Sequence, residues 1–127
     1  MVITIFIAEN SRLLRERLVH LIEESGEMQV IGQTGCVTQV QPQLEALAPD
    51  VALLDIHLDG GSAFGILGDL RRAMPDLGIA LMTASGYPGY QKKALGLGAD
   101  SLIDKSSGIE TIIPTLMHLG RRRRAAQ

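Results

Sequence analysis

Apolar and polar positions follow two alternating patterns along this chain: short runs of branched apolar residues, and longer stretches in which leucine or isoleucine returns every three or four positions. Val2 to Ala8 is the first short run and predicts a strand. Ser11 to Ser25 then places Leu13, Leu14, Leu18, Leu21 and Ile22 on one helical face, and Gly26 stops the helix. Met28 to Gln33 predicts a second strand, and Val37 to Leu47 a shorter, weaker helix interrupted by Pro42. Val51 to Asp55 is the third strand; Ser62 is the N-cap of a helix carrying Phe64, Ile66, Leu67, Leu70 and Met74 up to Pro75. Gly78 to Thr83 predicts a fourth strand and Pro88 to Leu97 a Gly-containing helix of low intrinsic propensity. Ser101 to Ile103 is a short fifth strand, and Ile109 to about Arg122 the last helix, where Pro114 is tolerable near the first turn or as a kink.

Five strand–helix units predict an α/β fold, a (βα)5 doubly wound five-stranded parallel sheet with right-handed crossovers and helices on both faces. The expectation is a single domain over 1–127, with about 121–127 as a basic tail, and no internal repeat or second domain.

In such a sheet the carboxyl ends of the strands converge on one crevice. Strand one ends at Glu9-Asn10, strand three at Asp55, strand four at Thr83-Ala84-Ser85, and strand five just before Lys105. Asp55 closes the unbroken apolar run Val51-Ala52-Leu53-Leu54, the signature of a strand buried on both faces, and Ile56-His57-Leu58-Asp59-Gly60-Gly61 follows at once. A carboxylate delivered there costs folding energy unless something neutralises it. Two acids, an amide, a hydroxyl and a lysine suit Mg²⁺, which keeps several waters and takes one or two carboxylates plus a phosphate. Lysine and hydroxyl can hold phosphoryl oxygens, and Asp55 can be the nucleophile that forms an acyl phosphate.

Composition narrows the classes. At 127 residues, 46% apolar and 20% charged, the chain buries a real core and is not disordered. A formal charge of −2 gives no global attraction to nucleic acid or anionic membranes. One cysteine, Cys36, excludes an internal disulfide, and its expected role is structural or incidental. No run approaches membrane-spanning length, and the first apolar stretch lacks the features of a signal peptide, so the expectation is a soluble cytoplasmic protein.

Ile-Phe-Ile-Ala-Glu-Asn at 5–10, Leu-Leu-Asp-Ile-His-Leu-Asp-Gly-Gly at 53–61, Leu-Met-Thr-Ala-Ser at 81–85 and Gly-Ala-Asp-Ser-Leu-Ile-Asp-Lys at 98–105 resemble, in order and spacing, the receiver domain of two-component response regulators. The resemblance covers essentially the whole chain and implies the flavodoxin-like receiver fold. It implies that Asp55 accepts a phosphoryl group from a phosphohistidine on a sensor histidine kinase or phosphotransfer protein, that Thr83 contacts this group and that Lys105 pairs with it. Metal contacts fall to Glu9, Asn10, Asp55 and His57, the last through its backbone carbonyl rather than its ring. Leu13-Leu14-Arg15-Glu16 and the lack of proline after Lys105 look closest to receivers that carry a helix-turn-helix output domain, and so imply transcription regulation if such a domain was removed.

Three positions depart from the family pattern. Asn10 stands where a second acid is usual, which makes the pocket one unit less negative and the cation more weakly held. Asp59 replaces a common proline, and Leu102 replaces a Tyr or Phe that swings inward on activation. These departures support a competing expectation, a phosphorylation-independent interaction module with a degraded metal site. Homodimerisation through the fourth helix, fifth strand and fifth helix is expected of the same face.

Other readings are weaker. Aspartate-nucleophile phosphohydrolases need an acid two residues after the nucleophile, and His57 occupies that place. A phosphate-gripping loop with Lys-Ser/Thr is absent, Gly96-Leu97-Gly98 lacks the dinucleotide-binding pattern, and the loop after strand one does not suit a flavin. His20 and His118 fall in helical patterns as ordinary surface residues, and Arg121 to Arg124 reads as a cationic helix end with a frayed tail, so nucleic acid is not the expected partner of this domain alone.

Overall fold

The computed structural model describes residues 1–84, 86–106 and 109–126, and the side chain of Ile109 is not described. In chain order the elements are β1 (Ile3–Ala8), α1 (Arg12–Glu24), β2 (Met28–Thr34), α2 (Val37–Leu47), β3 (Val51–Asp55), β4 (His57–Leu58), β5 (Gly61–Ser62), α3 (Phe64–Ala73), β6 (Gly78–Thr83), α4 (Tyr90–Leu97) and β7 (Ser101–Asp104). A 3₁₀ turn (Ile109–Thr111) then leads into α5 (Ile112–Ala125). The main sheet has the order β2-β1-β3-β6-β7, and every pairing in it is parallel.

Strand alternation sorts the core into two layers. Ile3, Ile5, Ile7, Val51, Leu53, Ala80, Met82 and Ile103 face α1 and α5, meeting Leu18, Ile22, Ile112, Leu116 and Leu119. Phe6, Ala8, Ala52, Leu54, Ile79 and Leu81 face α2, α3 and α4, meeting Val40, Leu44, Leu67, Leu70 and Ala94. Because both faces are covered, β3 and β6 are buried at every position, which explains their continuous apolar runs.

The expected elements are all present, with local corrections. The buried stripe of α1 is Leu18 and Ile22 with half-buried Leu14; Leu13 and Leu21 lie about 100° further round and are exposed. Pro42 does not interrupt α2: it sits on the exposed side between buried Val40 and Leu44, whose packing holds the helix through one missing N–H. That helix ends at Ala48, which takes a left-handed conformation with φ 48°. Ser62 caps from one position further out than an N-cap, its Oγ accepting from the Phe64 N–H at 3.1 Å. The Gly-rich loop after Asp55 folds into an unforeseen antiparallel pair, β4 with β5, turned by Gly60 at φ 90°. The fourth helix starts at Tyr90 rather than Pro88, after Gly89 at φ 92°. Pro114 lies in the first turn of α5, where a missing N–H costs no intrahelical bond.

The carboxyl-terminal arginines are not a frayed tail. Helix α5 runs on to Ala125, Arg122 pairs with Asp100 at 2.7 Å, and Arg124 pairs with buried Asp50 at 2.9 Å. Asp50 Oδ2 also accepts from the Thr4 N–H and hydroxyl, so one carboxylate joins β1, the start of β3 and the end of α5.

Helix α5 docks closely on β1 because Gly120 has no side chain: a Cβ there would overlap the branched side chain of buried Ile3. Gly120→Ala is expected to lower stability by about 1–2 kcal/mol despite its gain in helix propensity. Urea unfolding should also find it non-additive with Ile3→Ala, the double variant losing less than the sum of the two.

Candidate functional site

Alternation explains how three charged groups reach one spot. Glu9 continues the Ile3, Ile5, Ile7 series, Asp55 continues Val51, Leu53, and Lys105 continues Ile103; all belong to the layer facing α1 and α5. The register brings their strands level, with Ile7 opposite Leu53, Asp55 opposite Met82 and Met82 opposite Ile103. Lys105 Nζ donates to Glu9 Oε1 at 2.9 Å and to Asp55 Oδ2 at 3.0 Å. Both acids are almost completely buried, at 1% and 3% exposure, so the ammonium is their shared partner at the rim of the core.

Neighbouring backbone holds this arrangement. The second Glu9 oxygen, Oε2, accepts from the Ser11 N–H at 3.1 Å, while Ser11 Oγ caps α1 by accepting from the Leu14 N–H. Arg15 Nη1 donates to the Glu9 carbonyl at 2.6 Å, and its Nε reaches Gln33 Oε1, which ties the loop after β1 to β2. In the sequence Arg15 stood out only within the segment Leu13-Leu14-Arg15-Glu16, with no role at the site; its signal was a basic residue one turn into the helix that follows Glu9. The Lys105 N–H donates to the Thr83 carbonyl at 2.8 Å, and the Ile56 N–H to the Met82 carbonyl at 2.9 Å, which locks the ends of β3, β6 and β7 together.

Thr83 is buried and closes β6, opposite Asp104. It continues Ile79 and Leu81, so it belongs to the other layer, on the side of α3 and α4. Asn10 follows Glu9 but is exposed; His57 is likewise exposed, within the β4–β5 hairpin. The structure therefore joins Glu9, Asp55 and Lys105 by direct contacts, while the side chains of Asn10 and His57 lie outside that hydrogen-bonded set. Ser85, the remaining rim residue of the sequence pattern, lies outside the described residues.

Two carboxylates and one ammonium leave the site with a surplus negative charge. Burial pushes the Asp55 carboxyl above its ordinary value of 3.8; the hydrogen bond from Lys105 opposes this and the charge of Glu9 adds to it. Desolvation pulls Lys105 down, but its hydrogen bonds to Glu9 and Asp55 outweigh that and raise it. Among the described residues no group of three or more His, Cys, Asp or Glu forms a metal cluster. Two carboxylates at the carboxyl edge of the sheet, with Asn10 next to Glu9 in sequence, are an oxygen donor set that fits Mg²⁺. Cys36, at the head of α2, has its thiol lowered chiefly by the Thr38 hydroxyl at 3.2 Å.

Removing the shared cation should leave two buried carboxylates unpaired. Lys105→Met is expected to cost about 3 kcal/mol near neutral pH. Asp55→Asn should act in the opposite direction. The Asp55 carboxyl is raised on folding, so its contribution is fully present below 3.8 and is lost as pH rises through the raised value; the amide variant should be the more stable protein at neutral pH, with the difference vanishing in acid. Urea unfolding of both variants across pH checks the two signs.

Comparison with known proteins agrees with this geometry. Residues 5–116 match the family model for the response regulator receiver domain. The chain is 29% identical over 103 residues to the DNA-binding transcriptional activator DevR/DosR of Mycobacterium tuberculosis, covering 81% of this chain and 48% of that protein. It is 30% identical over 112 residues to the sensory transduction protein LytT of Bacillus cereus, covering 88% and 45%. The chain thus spans about half the length of these curated relatives. Among solved structures, a LuxR-family DNA-binding response regulator from Staphylococcus aureus superposes with a TM-score of 0.86 at 25% identity, covering 94% of this chain and 99% of that one. The signal receiver domain of the putative response regulator NarL from M. tuberculosis shares the fold, with a TM-score of 0.87 at 23% identity over 94% and 97% of the two chains. Receiver domains are signalling domains rather than conventional enzymes; they interact with histidine kinases, can dimerise and generally bind Mg²⁺ at an acidic site. No described helix is long and apolar enough to cross a membrane. With the family model matching from β1 into α5 and the acid–lysine cluster at the carboxyl edge of the sheet, this chain belongs to the receiver domains of two-component response regulators.

Proposed function

We propose that Asp55 is the phosphoacceptor of this receiver and that its donor is a phosphohistidine on a histidine kinase or phosphotransfer protein. The observation that carries this reading is the Lys105 ammonium, held 3.0 Å from Asp55 Oδ2 at the open end of a sheet otherwise closed by apolar side chains. An Asp55 carboxylate oxygen attacks phosphorus, the new O–P bond forms as the P–N bond to the donor imidazole breaks, and the released nitrogen takes up a proton. Lys105 balances the charge on the phosphoryl oxygens, and the Thr83 hydroxyl donates to one of them from the opposite layer. Glu9, Asp55, the Asn10 amide and the backbone carbonyl of His57 would hold Mg²⁺, which supplies charge neutralisation of the phosphoryl oxygens.

Asn10 favours a second reading, a module that binds its partner without phosphorylation, because the neutral amide weakens the cation site. Signalling in the first reading passes through α4, β7 and α5, the face proposed for homodimerisation. The chain would serve as the receiver half of a longer transcription regulator, as the relatives' names suggest for those proteins.

Incubation with acetyl phosphate and Mg²⁺ should add one phosphoryl group by intact mass, and Asp55→Asn should remove the gain; no gain at high Mg²⁺ would favour the phosphorylation-independent module. The rate should fall in acid, because the carboxylate must be ionised to attack. Asn10→Asp should tighten Mg²⁺ by about tenfold, ~1.4 kcal/mol, read by Mg²⁺ titration of the phosphorylation rate.

A further inference from the structure

Two of the groups assigned to the cation, the Asn10 amide and the His57 carbonyl, lie outside the strands of the main sheet. Both segments that carry them are tied to the short connection between β2 and α2, and its centre is Gly35. On one side of Gly35 is the loop after β1. Arg15, half-buried one turn into α1, donates from Nη1 to the Glu9 carbonyl at 2.6 Å and from Nε to Gln33 Oε1 at 3.3 Å. The Glu9 N–H donates to the Thr34 carbonyl at 3.0 Å. A Cβ on residue 35 would stand 2.9 Å from Arg15 Nη1 and 3.4 Å from both the Asn10 Cα and the Glu9 carbonyl oxygen. Glycine is therefore what lets the guanidinium reach that carbonyl.

On the other side is the hairpin that follows Asp55. The Gly35 carbonyl accepts from the Asp59 N–H at 2.9 Å, and the Asp59 carbonyl accepts from the Val37 N–H at 2.9 Å. The first of these bonds needs an amide hydrogen, which Asp59 has and a proline would lack. Arg15 thus holds the carbonyl that precedes Asn10, and Gly35 holds the amide two positions after His57.

Arg15 also brings a fixed positive charge to the neighbourhood of an acidic pocket, where Coulomb's law alone opposes a second cation. Its hydrogen bonds act in the other direction, because a segment that is already held loses less freedom when it becomes a ligand. We propose that Arg15 and Gly35 brace the two segments that carry Asn10 and His57, so that this brace, together with the carboxylates, sets the affinity for a divalent cation. The inference rests on the reading of Glu9, Asp55, Asn10 and the His57 carbonyl as the Mg²⁺ groups. Arg15 and Gly35 are positioning residues and touch neither the cation nor the phosphoryl group.

The test is a Mg²⁺ titration of the isotope-labelled full chain, read by amide chemical shifts with no phosphodonor present. Wild-type shifts should saturate, and Asp55→Asn should weaken the binding. Arg15→Met is expected to weaken Mg²⁺ by about tenfold although it deletes a positive charge. Gly35→Ala keeps that charge and drives Nη1 off the Glu9 carbonyl, since the tightest contact of the new methyl is the end of a flexible side chain. It should weaken Mg²⁺ to a similar degree, and the double variant should lose little more than either single one. Gly35→Ala carries the test by itself if Arg15→Met does not fold. Loss of stability alone would leave the midpoint of a folded variant where it is. An unchanged or tighter midpoint in the folded variants overturns the brace and leaves the cation reading standing. Additive losses in the double variant also overturn it, because the two residues would then act separately. No saturable shift in the wild type, or one that Asp55→Asn leaves at full strength, overturns the cation reading and the brace with it.

Discussion

One ammonium shared by two buried carboxylates is the constraint on which the carboxyl edge of this sheet depends. Glu9 and Asp55 leave water almost entirely, and each would be costly to bury alone. Lys105 reaches both from a third strand end, at 2.9 and 3.0 Å, and so makes tolerable an arrangement that apolar residues would fill more cheaply. Its placement requires β1, β3 and β7 to end level and side by side, with β6 between the last two. The parallel order, the register and the uninterrupted apolar layers beneath are what deliver that geometry. Two acids and one ammonium also leave the network only partly neutralised by its own members.

Much of this was legible in the chain. Buried strands announce themselves by continuous apolar runs, so Val51–Asp55 and Gly78–Thr83 were bounded correctly, and the meeting of Glu9, Asp55 and Lys105 at the carboxyl edge followed from the sheet type. Elements decided by tertiary contact were less legible. Five leucines and isoleucines of α1 looked like one face, but only a stripe of i, i+4, i+8 spacing can meet the sheet, and Leu13 and Leu21 were left outside. Pro42 reads as a breaker in any local account; here burial of Val40 and Leu44 outweighs one lost hydrogen bond. The β4–β5 pair depends on backbone conformations at Gly60 and Gly61 that sequence marks only as a flexible loop. The arginines at the end of α5 resembled a solvated basic tail because their partners, Asp50 and Asp100, are distant in sequence and carry no pattern that points to them.

The same distinction separates the residues of the site. Glu9, Asp55 and Lys105 are fixed by strand alternation and are therefore both predictable and rigid. Asn10 and His57 lie one and two positions past the acids, beyond the last pairings of the main sheet, and both are exposed. A ligand drawn from such positions is supplied by loop geometry rather than by the sheet. Substituting an amide for an acid at residue 10 thus changes the charge of the pocket without disturbing the buried cluster, which explains how a departure at this position coexists with an intact acid–lysine set.

Thr83 gives the site its direction. Asp55 and Lys105 belong to the layer under α1 and α5, whereas Thr83 continues the series that packs against α3 and α4. A group bonded to Asp55 that also engages Thr83 would bridge the two faces of the sheet, which are otherwise separated by a plane of strands. The backbone already joins them there, through the Lys105 N–H on the Thr83 carbonyl and the Ile56 N–H on the Met82 carbonyl. Strand ends under both helical layers are thereby tied to one another.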